Sequence, residues 1–360
     1  MLISHLELFS GIGGFRYALE MLCRDFNISA ETIGFSELET NAINTYKANY
    51  NTENEVEIGD IVSFVNDKTN VKSLPDFNLL TGGFPCQAFS IMGKQKGFDD
   101  LRGNVFFRIL EIAKIKKPNF ILLENVKNLL THNRGETFKI IINSLNESGY
   151  KYIYHDVFNT NNFSLAQNRN RVYILASRKK TSDDFRFESK IITETFNGIK
   201  ERTSLLKQAY TFDILEKNVE KKYYLSEIIK PTILADGSKN FKSKSDIDQL
   251  VARPLAATMA KMHRACQDNY FSDDYIIAKD PVKYVEKQFT KEELAKKNIR
   301  RLTPKEAFNL QGFSDDFYQN AKKAMTSDSQ LYKQAGNAVS VNTVYAILYY
   351  LFIEMNILGG

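Results

Sequence analysis

Cys86 stands in the run Gly82-Gly83-Phe84-Pro85-Cys86-Gln87, a glycine-flanked loop that follows an apolar stretch. In an open parallel sheet, loops at the carboxyl ends of the strands are where ligands bind, and a thiolate there is a nucleophile. The other cysteines, Cys23 and Cys266, are too scattered for a disulfide framework or a zinc site. Both read as small buried hydrophobes. A second apolar run, Phe120-Ile121-Leu122-Leu123, ends in Glu124-Asn125-Val126. Its carboxyl would lie beside Cys86 if the two strands are neighbours. The segment Gln167-Asn168-Arg169-Asn170-Arg171 places two arginines on alternate positions, hence on one face of an extended chain. Taken singly, Glu124 reads as a polar strand end and the arginines as a solvated face. Taken with Cys86, they make a nucleophile, an acid and a cationic clamp.

A further constellation is Phe9-Ser10-Gly11-Ile12-Gly13-Gly14, between a strand and a helix. Glycines there let the backbone approach a ligand and leave a helix N-terminus facing it. Glu37 ends the second candidate strand, where a carboxylate accepts from ribose hydroxyls, and Asp60 follows the third, within reach of an adenine amino group. These residues describe a pocket for an adenosine-containing cofactor. The spacing alone leaves open whether that cofactor is a dinucleotide or S-adenosylmethionine.

These residues need a sheet to gather them. Candidate strands run over 5–9, 32–37, 56–61, 77–81, 120–124, 150–158 and 172–177, with helices over 39–49, 104–116 and 135–148. Phe15, Leu19, Leu22 and Phe26 fall at helical spacing directly after the glycine turn. The alternation predicts a doubly wound, Rossmann-like α/β fold built on a parallel sheet. Beyond about residue 178 the pattern loosens, and order returns at Arg301-Leu302-Thr303-Pro304-Lys305-Glu306. There Thr303 and Glu306 have capping-box spacing around a proline at the first helical position. A long apolar helix is expected over 339–355. The domain reading is therefore 1–179 catalytic, 180–300 a second domain, and 301–360 a return to the first.

With 43% hydrophobic and 25% charged residues in 360, the chain is neither disordered nor collagen-like. No apolar run reaches the roughly 18 residues of a membrane span, and the N-terminus lacks secretory-signal features, so cytoplasmic residence is the expectation. The net charge of +5 is concentrated: residues 178–245 hold 15 Lys/Arg against 10 Asp/Glu. A basic stretch in an otherwise neutral chain is where nucleic acid would bind.

Together these motifs, with Arg102-Gly103-Asn104 and Gly336-Asn337-Ala338-Val339, resemble the C5-cytosine DNA methyltransferases of bacterial restriction-modification systems. The resemblance runs from Leu6 to about Ile347, and only the basic segment lacks a family pattern. It implies an S-adenosyl-L-methionine-dependent methyltransferase fold with a smaller target recognition domain, acting on double-stranded DNA. By similarity Cys86 adds to carbon 6 of a flipped cytosine, Glu124 serves ring nitrogen 3, Arg171 holds the carbonyl oxygen, and Arg169 supports Cys86 and Glu124. Phe9, Leu38 and Ile61 would sandwich the adenine, where the family usually has tryptophan in place of Leu38. Gly11, Ile12, Gly13, Gly14, Glu37, Asp60, Pro85, Val105, Asn337 and Ala338 would complete the cofactor pocket. Residues 87–102 resemble the loop that closes over the flipped base, with Gly93 and Gly97 as hinges. Gln87, Ser90, Met92 and Arg102 on that loop, and Thr258 after Arg253-Pro254-Leu255-Ala256-Ala257, would contact DNA. No metal is called for. A monomer is expected, with a cognate restriction endonuclease acting separately.

Three other readings compete. An RNA cytosine methyltransferase of the tRNA-modifying branch would share the fold, but the large basic insertion suits a duplex. A DNA-binding relative without catalysis has no chemical reason to keep Cys86, Glu124, Arg169 and Arg171 together. A nucleotide-dependent oxidoreductase explains the glycine turn and Glu37 but not the cysteine loop.

Overall fold

A computed structural model describes residues 2–85, 105–238, 241–242, 244–324 and 327–358. Cys86, Gln87, Ser90, Met92 and Arg102 lie outside these described residues. The chain forms two compact units, one from Met1–Asn159, Asn170–Leu205 and Val339–Gly360, the other from Thr160–Arg169 and Leu206–Ala338.

The first unit is built on a seven-stranded sheet of order β3-β2-β1-β4-β5-β7-β6. The strands are β1 Leu2–Leu8, β2 Ser29–Ser36, β3 Val56–Glu57, β4 Leu79–Gly83, β5 Phe120–Val126, β6 Tyr152–Asn159 and β7 Asn170–Ser177. Central β5 is buried from Phe120 through Asn125, the continuous apolar signature of a strand covered on both faces. The expected all-parallel sheet needs one correction: β7 runs antiparallel to both β5 and β6. The Thr160–Arg169 connection is shorter than the roughly dozen residues a parallel crossover requires.

Helices cover both faces, and α2 (Thr40–Asn49) follows β2. On one, α3 (Ile61–Asn66), α4 (Lys68–Ser73), α5 (Val105–Lys116) and α6 (Glu136–Glu147) bury Val65, Val71, Ile109 and Leu145 against Leu6, Leu8, Leu80, Ile121 and Leu123 of the sheet. The other face carries α1 (Gly14–Phe26), α7 (Ser189–Ile199) and α11 (Val341–Tyr349). Phe26 and Tyr349 rings lie 4.9 Å apart, and Tyr345 Oη donates to Asp25 at 2.7 Å. The last helix therefore packs beside the first. The expected continuation to 355 changes character, because the last turns Tyr350–Glu354 widen into a π-helix. The run Asp328–Glu354 is long and apolar enough to cross a membrane by length and composition, yet 83% of its apolar window is buried inside the protein.

The second unit contains the antiparallel pair β8 (Tyr270–Ser272) and β9 (Ile299–Arg301) and the helices α8 (Pro304–Leu310), α9 (Asp315–Lys323) and α10 (Asp328–Asn337). The Thr303 cap forms as expected, its hydroxyl accepting from Glu306 N while Glu306 accepts from Thr303 N. Glu306 also binds Arg300 bidentately at 2.7 and 2.9 Å, both side chains fully buried.

The units divide the chain elsewhere than 179/180 and 300/301. Residues 180–205 belong with the sheet: α7 buries Ile192 and Phe196, Ser189 N donates to Asp156 at 2.6 Å, and Ser204 N to Asp25 at 3.0 Å. Residues 301–338 belong to the second unit, held there by the Arg300–Glu306 pair. An amphipathic helix must cover its apolar face, and loose local composition does not reveal which face it finds. The basic stretch 178–245 is thus shared between units.

Candidate active site

The glycine turn links β1 to α1. Phe9, Gly11 and Gly13 all have positive φ, at 53°, 55° and 85°, a conformation that is free for glycine and strained for Phe9. The strain is offset by hydrogen bonds: Ser10 N to Ser36 O at 2.9 Å, Gly13 N to Ser10 O at 2.8 Å, and Gly11 N to Glu37 Oε2 at 2.8 Å. The other Glu37 oxygen accepts from Leu38 N and Glu39 N at 2.7 and 2.9 Å. Glu37 therefore ties the tip of β2 to the turn and keeps lone-pair capacity on Oε2 for a hydroxyl. A Cβ at Gly11 would meet nothing within 4 Å, so there is open room over the turn. Beneath it, Glu7 accepts from Phe15 N at 3.1 Å. Burial pushes its carboxyl up to about 8 against the opposing pull of Arg16.

The expected adenine walls differ in setting. Ile61 is buried in the core cluster and Phe9 packs partly buried against it, whereas Leu38 is 68% exposed. Asp60 caps α3, accepting from Val62 N, Ser63 N and Ser63 Oγ at 3.0, 3.3 and 2.6 Å. The Ser63 hydroxyl bond holds its carboxyl below the usual aspartate range. Ile12, Gly13 and Gly14 are buried, Val105 is half-buried and Pro85 exposed.

β4 and β5 are neighbours, as the placement of Glu124 required, with Gly83 opposite Glu124. A Cβ at Gly83 would lie 3.5 Å from Glu124 Oε2, so the absent side chain leaves that carboxyl in contact with the end of β4. Arg171 enters from β7, its Nε 2.8 Å from Glu124 Oε1. Its Nη1 donates to Asn170 O at 2.9 Å. Glu124 is 9% exposed, so this is a nearly desolvated ion pair in which each partner restrains the other. Asn125 Nδ2 donates to Phe84 O at 2.8 Å, which anchors the main chain two residues before Cys86.

Arg169 has other partners. It precedes β7, belongs to the second unit and is 2% exposed. Its guanidinium donates to the carbonyls of Leu255, Gly336 and Ala338 at 2.9, 3.0 and 3.1 Å. Gln167 works beside it, accepting from Leu255 N at 3.0 Å and donating to Leu310 O at 3.0 Å. Gln311 donates to Ala335 O and Ala338 O at 2.7 and 3.1 Å. This hub joins the segment before Thr258, which is exposed on a turn, to the segment of Asn337, exposed, and Ala338, buried. Arg253 is likewise engaged, donating to Asp246 O and Asp268 O.

Sequence reasoning missed Asn125 as an anchor, and Gln167 and Gln311 as hub members. Asn125 and Gln167 stood within quoted motifs, but nothing in their type revealed which carbonyl they serve. The buried His5 also carried no signal: its Nε2 meets Thr81 Oγ1 at 2.8 Å, and burial with the nearby Arg16 lowers it to about 3. Among the described residues no cluster of His, Cys, Asp or Glu could hold a metal ion.

Comparison with known proteins bears on the family and the fold. The description "C-5 cytosine-specific DNA methylase" matches residues 3–352. The chain is 36% identical to the type II methyltransferase M1.ScrFI of Lactococcus lactis subsp. cremoris, covering 95% of this chain and 76% of that one. It is 35% identical to the type II methyltransferase M.HpaII of Haemophilus parainfluenzae, covering 95% and 87%. The solved structure of the S. pombe Dnmt2 methyltransferase shares the fold with TM-score 0.72 at 19% identity, over 99% of this chain and 100% of that one. By the match over residues 3–352 and the likeness to these relatives, the chain belongs to the C-5 cytosine-specific DNA methylase family.

Proposed function

We propose that this enzyme transfers a methyl group from S-adenosyl-L-methionine to carbon 5 of a cytosine flipped out of duplex DNA, through a covalent bond between Cys86 and ring carbon 6. The observation that carries the reading is the Glu124–Arg171 ion pair beside the end of β4, the strand that leads into Pro85 and Cys86. Carbon 5 of cytosine is a weak nucleophile. Addition of the Cys86 thiolate to carbon 6 forms an S–C bond and moves ring electrons toward nitrogen 3, where Glu124 supplies a proton or hydrogen bond. The resulting enamine makes carbon 5 nucleophilic. Arg171 has five N–H donors in a planar fork, enough to hold Glu124 and the carbonyl oxygen of the base together. Once carbon 5 carries the methyl group, loss of its proton and expulsion of Cys86 restore the ring.

The cofactor, when bound, supplies an electrophilic methyl group on a sulfonium. Glu37 fits its ribose through the remaining capacity of Oε2, and the open space over Gly11 fits close approach of the turn. Phe9, Leu38, Ile61 and Asp60 serve the adenine, with Ile12, Gly13, Gly14, Pro85, Val105, Asn337 and Ala338 around it.

A paired base cannot present carbon 6 to the thiolate, and flipping it costs about a few kcal/mol. Residues 206–338 act as target recognition domain, with Thr258 contacting DNA alongside Gln87, Ser90, Met92 and Arg102. The naming of the relatives as type II methyltransferases supports a place in a restriction-modification system, the chain acting as a monomer beside a separate endonuclease.

Bisulfite sequencing of a plasmid treated with the protein and S-adenosyl-L-methionine tests the reading. Protected cytosines within one short motif are expected. No protected cytosine, from protein that binds the cofactor, overturns it.

A further inference from the structure

Behind the glycine turn lies a cage of side chains that the catalytic reading does not use. Tyr50 Oη donates to Gly13 O at 2.7 Å. The Tyr50 ring fills the place a side chain at Gly13 would take, with ring atoms at 2.5 and 2.9 Å from an ideal Cβ there. Arg16 lies over the same ring, its guanidinium carbon 4.3 Å from the centroid. Arg16 is itself fixed by Glu55 at 2.6 Å, Glu20 at 2.7 Å, Asn51 O at 3.2 Å and Tyr46 Oη at 3.2 Å. The Tyr46 ring stacks on Phe35 of β2, 4.3 Å between centroids.

We propose that Tyr50, clamped by Arg16, is a positioning residue for cofactor binding, because its hydroxyl sets the orientation of the Gly13 peptide and with it the glycine turn. The inference rests on the reading that this turn binds S-adenosyl-L-methionine. The physical need is specific. A turn with three positive φ values in five residues has no side chain at Gly11 or Gly13 to hold it. Its shape depends on what its backbone groups are bonded to. On the Glu37 side the restraint reaches Gly11 N; on the opposite side Gly13 O accepts from Tyr17 N at 2.8 Å, the first bond of α1, and from Tyr50 Oη, the side-chain restraint that fixes its direction. Loss of one restraint leaves the other, so the turn loosens without the fold being lost. A loosened turn binds its ligand more weakly, since ordering it becomes part of binding.

Tyr50→Phe keeps the ring under Arg16 and removes only the hydroxyl. Calorimetry with S-adenosylhomocysteine is expected to show a Kd raised about fivefold, the worth of one neutral hydrogen bond. KM for S-adenosyl-L-methionine should rise in parallel while kcat and duplex DNA affinity stay as in the wild type. Tyr46→Phe, which keeps its ring and removes only one of the four bonds that fix Arg16, should raise Kd less than Tyr50→Phe. Unchanged Kd in Tyr50→Phe, or an equal loss in Tyr46→Phe, overturns the proposal alone. Failure of the wild-type protein to bind S-adenosylhomocysteine overturns the cofactor reading and this proposal with it.

Discussion

Gly336 lies near the end of α10, in ordinary helical conformation, so its lack of a side chain answers to space rather than to φ. A Cβ there would stand 2.4 Å from Ala257 N, 2.5 Å from Ala256 C and 2.7 Å from Ala256 O. All three atoms are backbone, so no side chain can swing aside. Gly336→Ala must push α10 away from 256–257 by a sizeable fraction of an ångström, an overpacking cost of about 1–3 kcal/mol. The hub resists that shift. Arg169 holds Leu255 O on one side and Gly336 O and Ala338 O on the other, at 2.9, 3.0 and 3.1 Å. Separation therefore stretches at least one buried hydrogen bond, worth about 1 kcal/mol more. Against this, alanine gains about 0.5–1 kcal/mol over glycine in a helix. The net expectation is a loss of about 1–3 kcal/mol, read as a lower urea midpoint with unchanged slope. The control is Gly198→Ala in α7, where a Cβ would meet nothing within 4 Å. That variant should be slightly more stable than the wild type. Because the strained contact lies between the stretches carrying Thr258 and Asn337, affinity for DNA and for S-adenosylhomocysteine should fall together in Gly336→Ala. A Gly336→Ala protein as stable as Gly198→Ala would refute the reasoning.

Further expectations follow from the same geometry. Cys86→Ser should abolish methyl transfer while cofactor and DNA binding persist, and substantial turnover in a radiometric assay would remove Cys86 from the mechanism. Leu38, 68% exposed, should accept Leu38→Trp with about a tenfold tighter cofactor Kd if it faces the adenine, given what stacking on a base contributes; an unchanged Kd would move Leu38 out of the pocket. His5 has its folded pKa lowered to about 3 from 6.5, so its contribution is complete above 6.5 and is lost as pH falls toward 3, at up to about 1.4 kcal/mol per pH unit. His5→Gln should flatten that part of the stability profile, and an equally steep profile would show that other groups set it. DNA affinity should fall steeply with salt through Lys and Arg contacts to phosphate, and a flat response would exclude the basic stretch as the DNA surface.

Much of the site was legible because its chemistry is carried by residue types at strand ends. The order of Gly11–Gly14, Glu37, Asp60, Glu124 and Arg171 along the chain places each near the carboxyl end of a strand or at the start of β7, and apolar runs reveal strands independently of their neighbours. The Thr303–Glu306 cap was legible for a related reason, being a hydrogen-bonding pattern complete within four residues. The two arginines were not. Two positions apart and chemically alike, they part company in the fold, Arg171 to Glu124 and Arg169 to three carbonyls more than eighty residues away in sequence.

What the sequence by itself determined is therefore the family, the strands, the glycine turn and the residue types offered at the strand ends, since these follow from local composition and spacing. Only the tertiary structure decided the antiparallel seat of β7, the unit to which 180–205 and 301–338 belong, and the partners of Arg169, Asn125 and Tyr50. A hydrogen-bonding side chain declares its donors in the sequence. Which distant carbonyl it must satisfy is settled only when packing buries that carbonyl and leaves water no access to it.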